Sequence, residues 1–191
     1  HMSTGPRIYN LFPLLAGPIE GEGRDWHSHL PRIAAMRFDW VLLNPFHYPG
    51  FSGSLYAVKD PYRLHPVVQG GSSKSPDRLV GDFFRAAGDH GLRVMMDLVV
   101  NHTSRDADLA TVHPEWYERD TNGAMVSPGA IDPADARELT VWGDLAKLDY
   151  RAPHSRDGLI RYWSDYLRHY IGLGVKGFRC DAAYQLPADV W

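Results

Sequence analysis

The sequence is poor in the features that mark secreted, membrane and nucleic-acid-binding proteins. Its 191 residues include one cysteine, Cys180, which has no second thiol in the chain for a disulfide bond and therefore predicts a reducing, cytoplasmic location. No apolar run approaches the roughly 18 residues of a membrane span. The formal net charge is -3, so the basic excess that holds a phosphate backbone is missing. We therefore expect neither a membrane nor a nucleic-acid partner.

A dinucleotide-binding fingerprint is also missing, because no Gly-x-Gly-x-x-Gly motif follows the first apolar run. The chain instead alternates apolar runs with helical periodicity. Runs typical of buried strands cover residues 7–12, 38–43, 92–100 and 175–180, and helical spacing covers 26–36, 76–88 and 159–171. Ser75 as N-cap before Pro76 marks the start of the second helix. This order predicts an α/β fold with parallel strands.

Two segments lack this periodicity. Residues 44–74 are predicted to form a long loop, and residues 103–152 a polar insertion of about fifty residues. An insertion of this length inside a compact domain usually carries function or forms a small subdomain. Five of its carboxylates are predicted to be solvated loop charges: Asp106, Asp108, Asp132, Asp135 and Asp144.

Polar residues stand at the carboxyl ends of three predicted strands, where α/β folds place their chemistry. Asn44 follows the second strand, Asp97 lies in the third, and Arg179 lies in the fourth. A charge inside an apolar strand is costly unless it is paired, so we expect a structural ion pair between Asp97 and Arg179. That pair does not account for Asp181, which follows the last strand residue, where a ligand would bind.

Four segments resemble motifs of the α-amylase family, glycoside hydrolase family 13. Residues 97–102 (DLVVNH) resemble its third-strand motif D-x-x-x-N-H, and residues 177–183 (GFRCDAA) resemble its fourth-strand motif G-x-R-x-D-A. Residues 53–66 resemble the stretch after strand two, although two residues separate Gly53 from Tyr56 where the family usually has Gly-Tyr. Residues 142–150 (WGDLAKLDY) resemble the segment that closes the family's inserted subdomain. The resemblance covers essentially the whole chain.

The resemblance implies a partial TIM (β/α)8 barrel, made of the first four β/α units with a loop-rich insertion after strand 3. Residues 1–102 would carry strands 1–3 and their helices, 103–152 the inserted B-type subdomain, and 153–191 the third helix and strand 4. A complete barrel takes about 250 residues, so we expect a fragment of a larger enzyme. Its open edges predict self-association or pairing with the missing half of the barrel.

The resemblance also implies roles for individual residues. Asp181 would be the catalytic nucleophile, and Arg179 would favour its ionised form. His102 would donate a hydrogen bond to the sugar in the reacting subsite, and Tyr56 would stack on that sugar. Asn101 matches a position that often serves a structural calcium, although catalysis itself is expected to require no cofactor. Further residues are predicted to bind substrate: Asp60, Asn44 and Tyr184.

The implied activity is that of a carbohydrate-active enzyme acting on α-linked glucosides or α-glucans. The family uses a retaining double displacement through an aspartyl-glycosyl intermediate. Tyr184 and Gln185 stand where many amylases have Lys-His, which leaves open a glucan transferase or maltosyltransferase. A non-catalytic sugar-binding or scaffold relative is a further alternative. The acid/base glutamate of the family follows strand five, so the isolated chain is expected to be inactive.

Overall fold

The computed structural model describes residues 5–128 and 143–180. These residues form eight strands and six α-helices, together with two short 3-10 helices at His27–His29 and Pro114–Trp116. The strands are β1 (Ile8–Leu11), β2 (Trp40–Leu43), β3 (His47–Pro49), β4 (Val58–Leu64), β5 (Arg93–Leu98), β6 (His102–Ser104), β7 (Leu145–Lys147) and β8 (Gly177–Cys180). The helices are α1 (Pro13–Ala16), α2 (Leu30–Ala35), α3 (Pro66–Gln69), α4 (Pro76–Asp89), α5 (Asp108–Val112) and α6 (Pro153–Leu173).

The central sheet has the strand order β1-β2-β5-β8. β1 pairs with β2 and β2 pairs with β5, both in parallel, with Tyr9 opposite Val41 and Val41 opposite Val94. Val41, Leu43 and Met96 are at most 1% exposed, as the continuous apolar runs in the sequence require of a sheet covered on both faces. The predicted α/β class and the parallel strands are confirmed.

Helix α4 begins where the sequence predicts. The Ser75 side chain accepts a hydrogen bond from the Arg78 backbone N–H at 3.2 Å, and Pro76 occupies the first helical position. Such a cap satisfies one of the helix's unpaired N–H groups, and its loss costs about 1 kcal/mol. One face of the helix is buried, and it carries Leu79, Val80, Phe83, Phe84 and Ala87.

The prediction of a long loop over residues 44–74 is wrong. This segment contains β3 and β4, which pair in a two-stranded sheet, and the short helix α3. The insertion likewise contains α5 and the antiparallel pair β6 and β7. The strands β3, β6 and β7 have three residues each and are too short to show periodicity in the sequence. The longer β4 has the sequence VKDPYRL, which does not alternate apolar and polar residues.

The chain divides into two compact units. The first comprises the described residues up to 46, together with 62–98 and 167–179, and the second comprises the described residues of 47–61 and 99–166 and residue 180. The domain boundaries predicted after residues 102 and 152 stay predictions.

Within the described ranges 5–128 and 143–180, no helix combines the length and the apolar character needed to cross a membrane.

Candidate functional site

Two polar residues at the ends of the central strands contact a third, Asp97, in the first unit. Asp97 lies in β5, Arg179 lies in β8, and Asn44 directly follows β2. Asn44 Nδ2 donates a hydrogen bond to Asp97 Oδ2 at 3.1 Å, and Arg179 Nε lies 2.9 Å from Asp97 Oδ1. We call these three residues the strand-end cluster. The ion pair that the sequence predicts between Asp97 and Arg179 is present.

The strand-end cluster is buried at its carboxylate and open at its guanidinium. The Asp97 side chain has no exposed surface, whereas the Arg179 side chain is 51% exposed. A buried carboxylate must be paired and hydrogen-bonded to be tolerated, and Asn44 and Arg179 meet that need from two different strands. Asp97 therefore holds the guanidinium of a side chain that is half exposed as a whole. Asp181 and Tyr184 lie outside the described residues, so their roles stay predictions.

Tyr56 and His102 meet in the second unit. His102 Nε2 donates a hydrogen bond to the Tyr56 backbone carbonyl at 3.2 Å, which requires the tautomer with hydrogen on Nε2. His102 is 8% exposed and Tyr56 is 36% exposed. The contact lets His102 support the backbone that presents the Tyr56 ring. The structure thus brings together two residues that the sequence assigns to sugar binding, and their roles toward a sugar stay predictions.

The returning chain of residues 145–150 holds the segment that leads to His102. His102 is the first residue of β6 and stands opposite Lys147 of β7. Leu148 N–H donates to the Asn101 carbonyl at 2.9 Å, and the Tyr150 hydroxyl donates to the Val100 carbonyl. Burial raises the pKa of Tyr150 and keeps its hydroxyl neutral. The segment that resembles the family's insertion-closing motif therefore serves to brace the backbone before His102.

The remaining predicted residues differ in their setting. Asn101 is 2% exposed, and Asp60 lies half-buried in β4. Calcium takes roughly 6–8 oxygen ligands. In the part of the chain that the structure describes, no group of three or more His, Cys, Asp or Glu side chains is arranged to hold a metal ion. These residues do not by themselves fit the structural calcium, and Asn101 as its ligand stays a prediction.

Asp144 is not the solvated loop charge that the sequence predicts. Its side chain is buried, with 9% of the residue exposed, and it accepts a hydrogen bond from the Ser52 hydroxyl. Asp106 is exposed but accepts hydrogen bonds from the Ser104 hydroxyl and, at 3.3 Å, from the Phe51 backbone N–H. Both carboxylates therefore bind the loop after β3. The position of Asp144 inside the insertion-closing motif is the signal that could have indicated its burial.

His47 is a further buried polar residue to which the sequence assigns no role. Its Nε2 atom lies 2.7 Å from the Tyr166 hydroxyl of α6, within the second unit. Burial lowers the pKa of His47 to about 3, because desolvation disfavours the imidazolium form. His47 is therefore a neutral link between β3 and α6 at physiological pH.

Comparisons with known proteins agree with this architecture. A family model for the glucanotransferase domain of glycogen debranching enzyme matches residues 15–129. The chain belongs to the α-amylase family. An α-amylase structure from Lactobacillus plantarum shares 30% sequence identity with a TM-score of 0.76 over 97% of this chain. A maltogenic α-amylase from Thermotoga neapolitana shares 28% identity with a TM-score of 0.75, also over 97%.

A curated relative matches almost the whole length of this chain. The α-1,4-glucan:maltose-1-phosphate maltosyltransferase of Burkholderia pseudomallei is 27% identical over 189 residues, which is 99% of this chain. The chain spans 16% of that protein's length, and 40% and 41% of the two amylase structures. The strand order β1-β2-β5-β8 accordingly corresponds to the first four strands of the family's TIM barrel, as the sequence predicts.

Proposed function

We propose that this chain forms the amino-terminal part of the catalytic barrel of an enzyme that acts on α-linked glucans through a retaining double displacement. The observation that carries the proposal is the strand-end cluster. Buried Asp97 binds the guanidinium of Arg179, a half-exposed side chain two residues before Asp181 in the sequence. Because Arg179 stands only two residues before Asp181 in the sequence, its guanidinium is suited to stabilise an ionised Asp181 carboxylate.

In the proposed first step, a carboxylate oxygen of Asp181 attacks the anomeric carbon of the bound sugar. The bond from that carbon to the leaving oxygen breaks, and an acid/base carboxyl group protonates the oxygen. In the second step, the acceptor hydroxyl loses its proton to the same carboxyl group and displaces Asp181. We assign no acid/base group among the residues of this chain. Both reacting groups are carboxyls, so the chemistry itself calls for no cofactor, and any calcium near Asn101 would be structural.

We propose that the second unit binds the reacting sugar. The exposed Tyr56 ring offers an apolar face to the C–H groups of a pyranose. His102 uses its Nε2 hydrogen on the Tyr56 backbone carbonyl, so in this proposal it supports the backbone that presents the Tyr56 ring to the sugar. Asp60, Asn44 and Tyr184 are the further candidates for substrate contacts.

The single cysteine favours a cytoplasmic location, and the rest of the barrel is the partner that we expect to cover the edges of the sheet.

A maltosyl transfer reaction is a second candidate. The observation that favours it is the match of 99% of this chain to a maltosyltransferase, together with Tyr184 and Gln185 where many amylases have Lys-His. In a transferase the acceptor in the second step is a glucan hydroxyl. In a hydrolase it is water. The two reactions share Asp181 and differ in the acceptor that displaces it. With maltose-1-phosphate as the donor they differ also in the leaving group of the first step, which is phosphate.

The test uses the full-length protein incubated with maltoheptaose, alone and with maltose-1-phosphate. New reducing ends would indicate hydrolysis, and release of inorganic phosphate with chain extension would indicate transfer. We expect Asp181→Asn to lower the rate by at least about 1,000-fold, as removal of a catalytic nucleophile does. Asp157→Asn, an exposed carboxylate on α6, is the matched control. Turnover by Asp181→Asn within tenfold of the wild-type rate would refute the assignment.

A further inference from the structure

The chain between β3 and β4 forms a closed loop. Gly50 N–H donates to the Ala57 carbonyl at 2.8 Å and so joins the two ends of residues 51–56, which we call the aromatic loop. Inside it, Gly53 N–H donates to the Gly50 carbonyl at 3.0 Å. Gly53 has a φ of 75°, a conformation that glycine adopts without steric cost. The loop therefore has a defined internal structure.

The aromatic loop is also bound to the chain beneath it. The Ser52 hydroxyl donates to the buried Asp144, and Phe51 N–H donates to Asp106. Gly50 packs so closely that a β-carbon there would collide with the Ser104 hydroxyl and the Asp106 carboxylate. These contacts fix the backbone on both sides of Phe51. The Phe51 side chain is thus carried by a backbone that the fold holds in place.

Phe51 itself remains 68% exposed. It is more exposed than the other two exposed aromatic side chains of the described residues, Phe12 at 52% and Tyr56 at 36%. Leaving a phenylalanine in water forgoes most of the free energy that its burial would contribute. The Phe51 ring is exposed on a loop whose backbone is fixed, and the same Gly50–Ala57 hydrogen bond closes the loop next to Phe51 and Tyr56. Such a ring is suited to contact an apolar face of a ligand.

We propose that Phe51 is a specificity-determining residue that stacks on a second glucosyl unit of the same glucan chain that contacts Tyr56. This inference rests on the proposed function. Phe51 and Tyr56 are the first and last residues of the aromatic loop. The two backbone segments joined by the Gly50–Ala57 hydrogen bond lie about 5 Å apart, as paired strands do. One oligosaccharide can therefore reach both rings. A short substrate that occupies only the position at Tyr56 gains nothing from Phe51.

The expected consequence is a preference for longer α-1,4-linked substrates. In the full-length protein, Phe51→Ala should lower the ratio of kcat/KM for maltoheptaose to that for maltotriose by about tenfold, an effect typical of losing one buried aromatic contact. Phe51→Trp should keep the wild-type ratio, since tryptophan offers an equally flat face. Val112→Ala is the matched control, because Val112 is also 68% exposed in the same unit.

The outcomes separate this inference from the function on which it rests. A wild-type protein that neither turns over nor binds any of these glucans overturns the proposed function and the role of Phe51 with it. A wild-type protein that turns them over while Phe51→Ala keeps its substrate ratio overturns only the role of Phe51. An equal fall of the ratio in Val112→Ala also overturns it, because the effect would then follow from loss of any exposed apolar side chain.

Discussion

Replacing Arg179 with methionine removes the cation that faces a fully buried carboxylate. The Arg179 Nε atom lies 2.9 Å from Asp97 Oδ1, and Asn44 contributes a hydrogen bond to the other oxygen. Methionine preserves much of the apolar stem of the arginine but supplies neither charge nor donor. The substitution therefore leaves Asp97 buried without this charged partner.

The magnitude follows from the exposure of the two partners. Breaking a fully buried pair costs about 3–5 kcal/mol, because an uncompensated charge remains inside the protein. The Arg179 side chain is 51% exposed, so water already screens part of the attraction and enters more easily once the guanidinium is gone. We expect Arg179→Met to lower the free energy of unfolding by about 1–3 kcal/mol. Asp97→Asn should cost less, because a half-exposed guanidinium can turn to water.

Urea unfolding followed by tryptophan fluorescence measures both variants and the double variant Asp97→Asn/Arg179→Met. The double variant should be less destabilised than the sum of the two single changes, as expected for residues in direct contact. The argument fails if Arg179→Met costs less than about 0.5 kcal/mol, the usual scale of a surface substitution. It also fails if Asp97→Asn lowers the free energy of unfolding more than Arg179→Met does. The loss of a partner would then cost the exposed guanidinium more than the buried carboxylate.

Two further substitutions test the second unit. The pKa of His47 is about 3 in the folded chain and near 6.5 once unfolded, so the unfolded state binds more protons between these values. The free energy of unfolding should therefore fall by up to about 1.4 kcal/mol per unit as the pH drops below 6.5 toward 3, and His47→Gln should reduce this slope in urea titrations at several pH values. In α6, a β-carbon on Gly158 would collide with the Trp116 ring, which also stacks on the His113 ring with centroids 3.7 Å apart. Gly158→Ala should destabilise the protein by about 1–2 kcal/mol in thermal unfolding, because overpacking outweighs the helix propensity of alanine.

Each of these changes has a control on helix α6. His154 is exposed in α6, so His154→Gln is the matched histidine substitution, and an equal change of the pH slope in that variant would remove the argument from His47. A β-carbon on Gly172 would meet no neighbouring group of the described chain within 4 Å, so Gly172→Ala should be neutral or stabilise by up to about 1 kcal/mol. A Gly158→Ala protein as stable as Gly172→Ala would show that the Trp116 ring moves freely.

The sequence by itself determined the elements whose causes are local. Ser75 followed by Pro76 indicates the start of α4, and the continuous apolar runs indicate β2 and β5, because capping and strand burial leave their pattern within a few residues. It also determined the pairing of Asp97 with Arg179, since two opposite charges in neighbouring apolar strands have few other ways to be tolerated.

Tertiary structure decided the features that depend on residues far apart in the chain. The burial of Asp144 follows from its hydrogen bond to Ser52, 92 residues away, and the link from His47 to Tyr166 spans 119 residues. No local pattern separates such a carboxylate or imidazole from a solvated one. The same holds for Phe51, whose apolar character predicts burial. Its side chain stays exposed while contacts with Ser104 and Asp106 hold the loop backbone at Gly50 and Phe51.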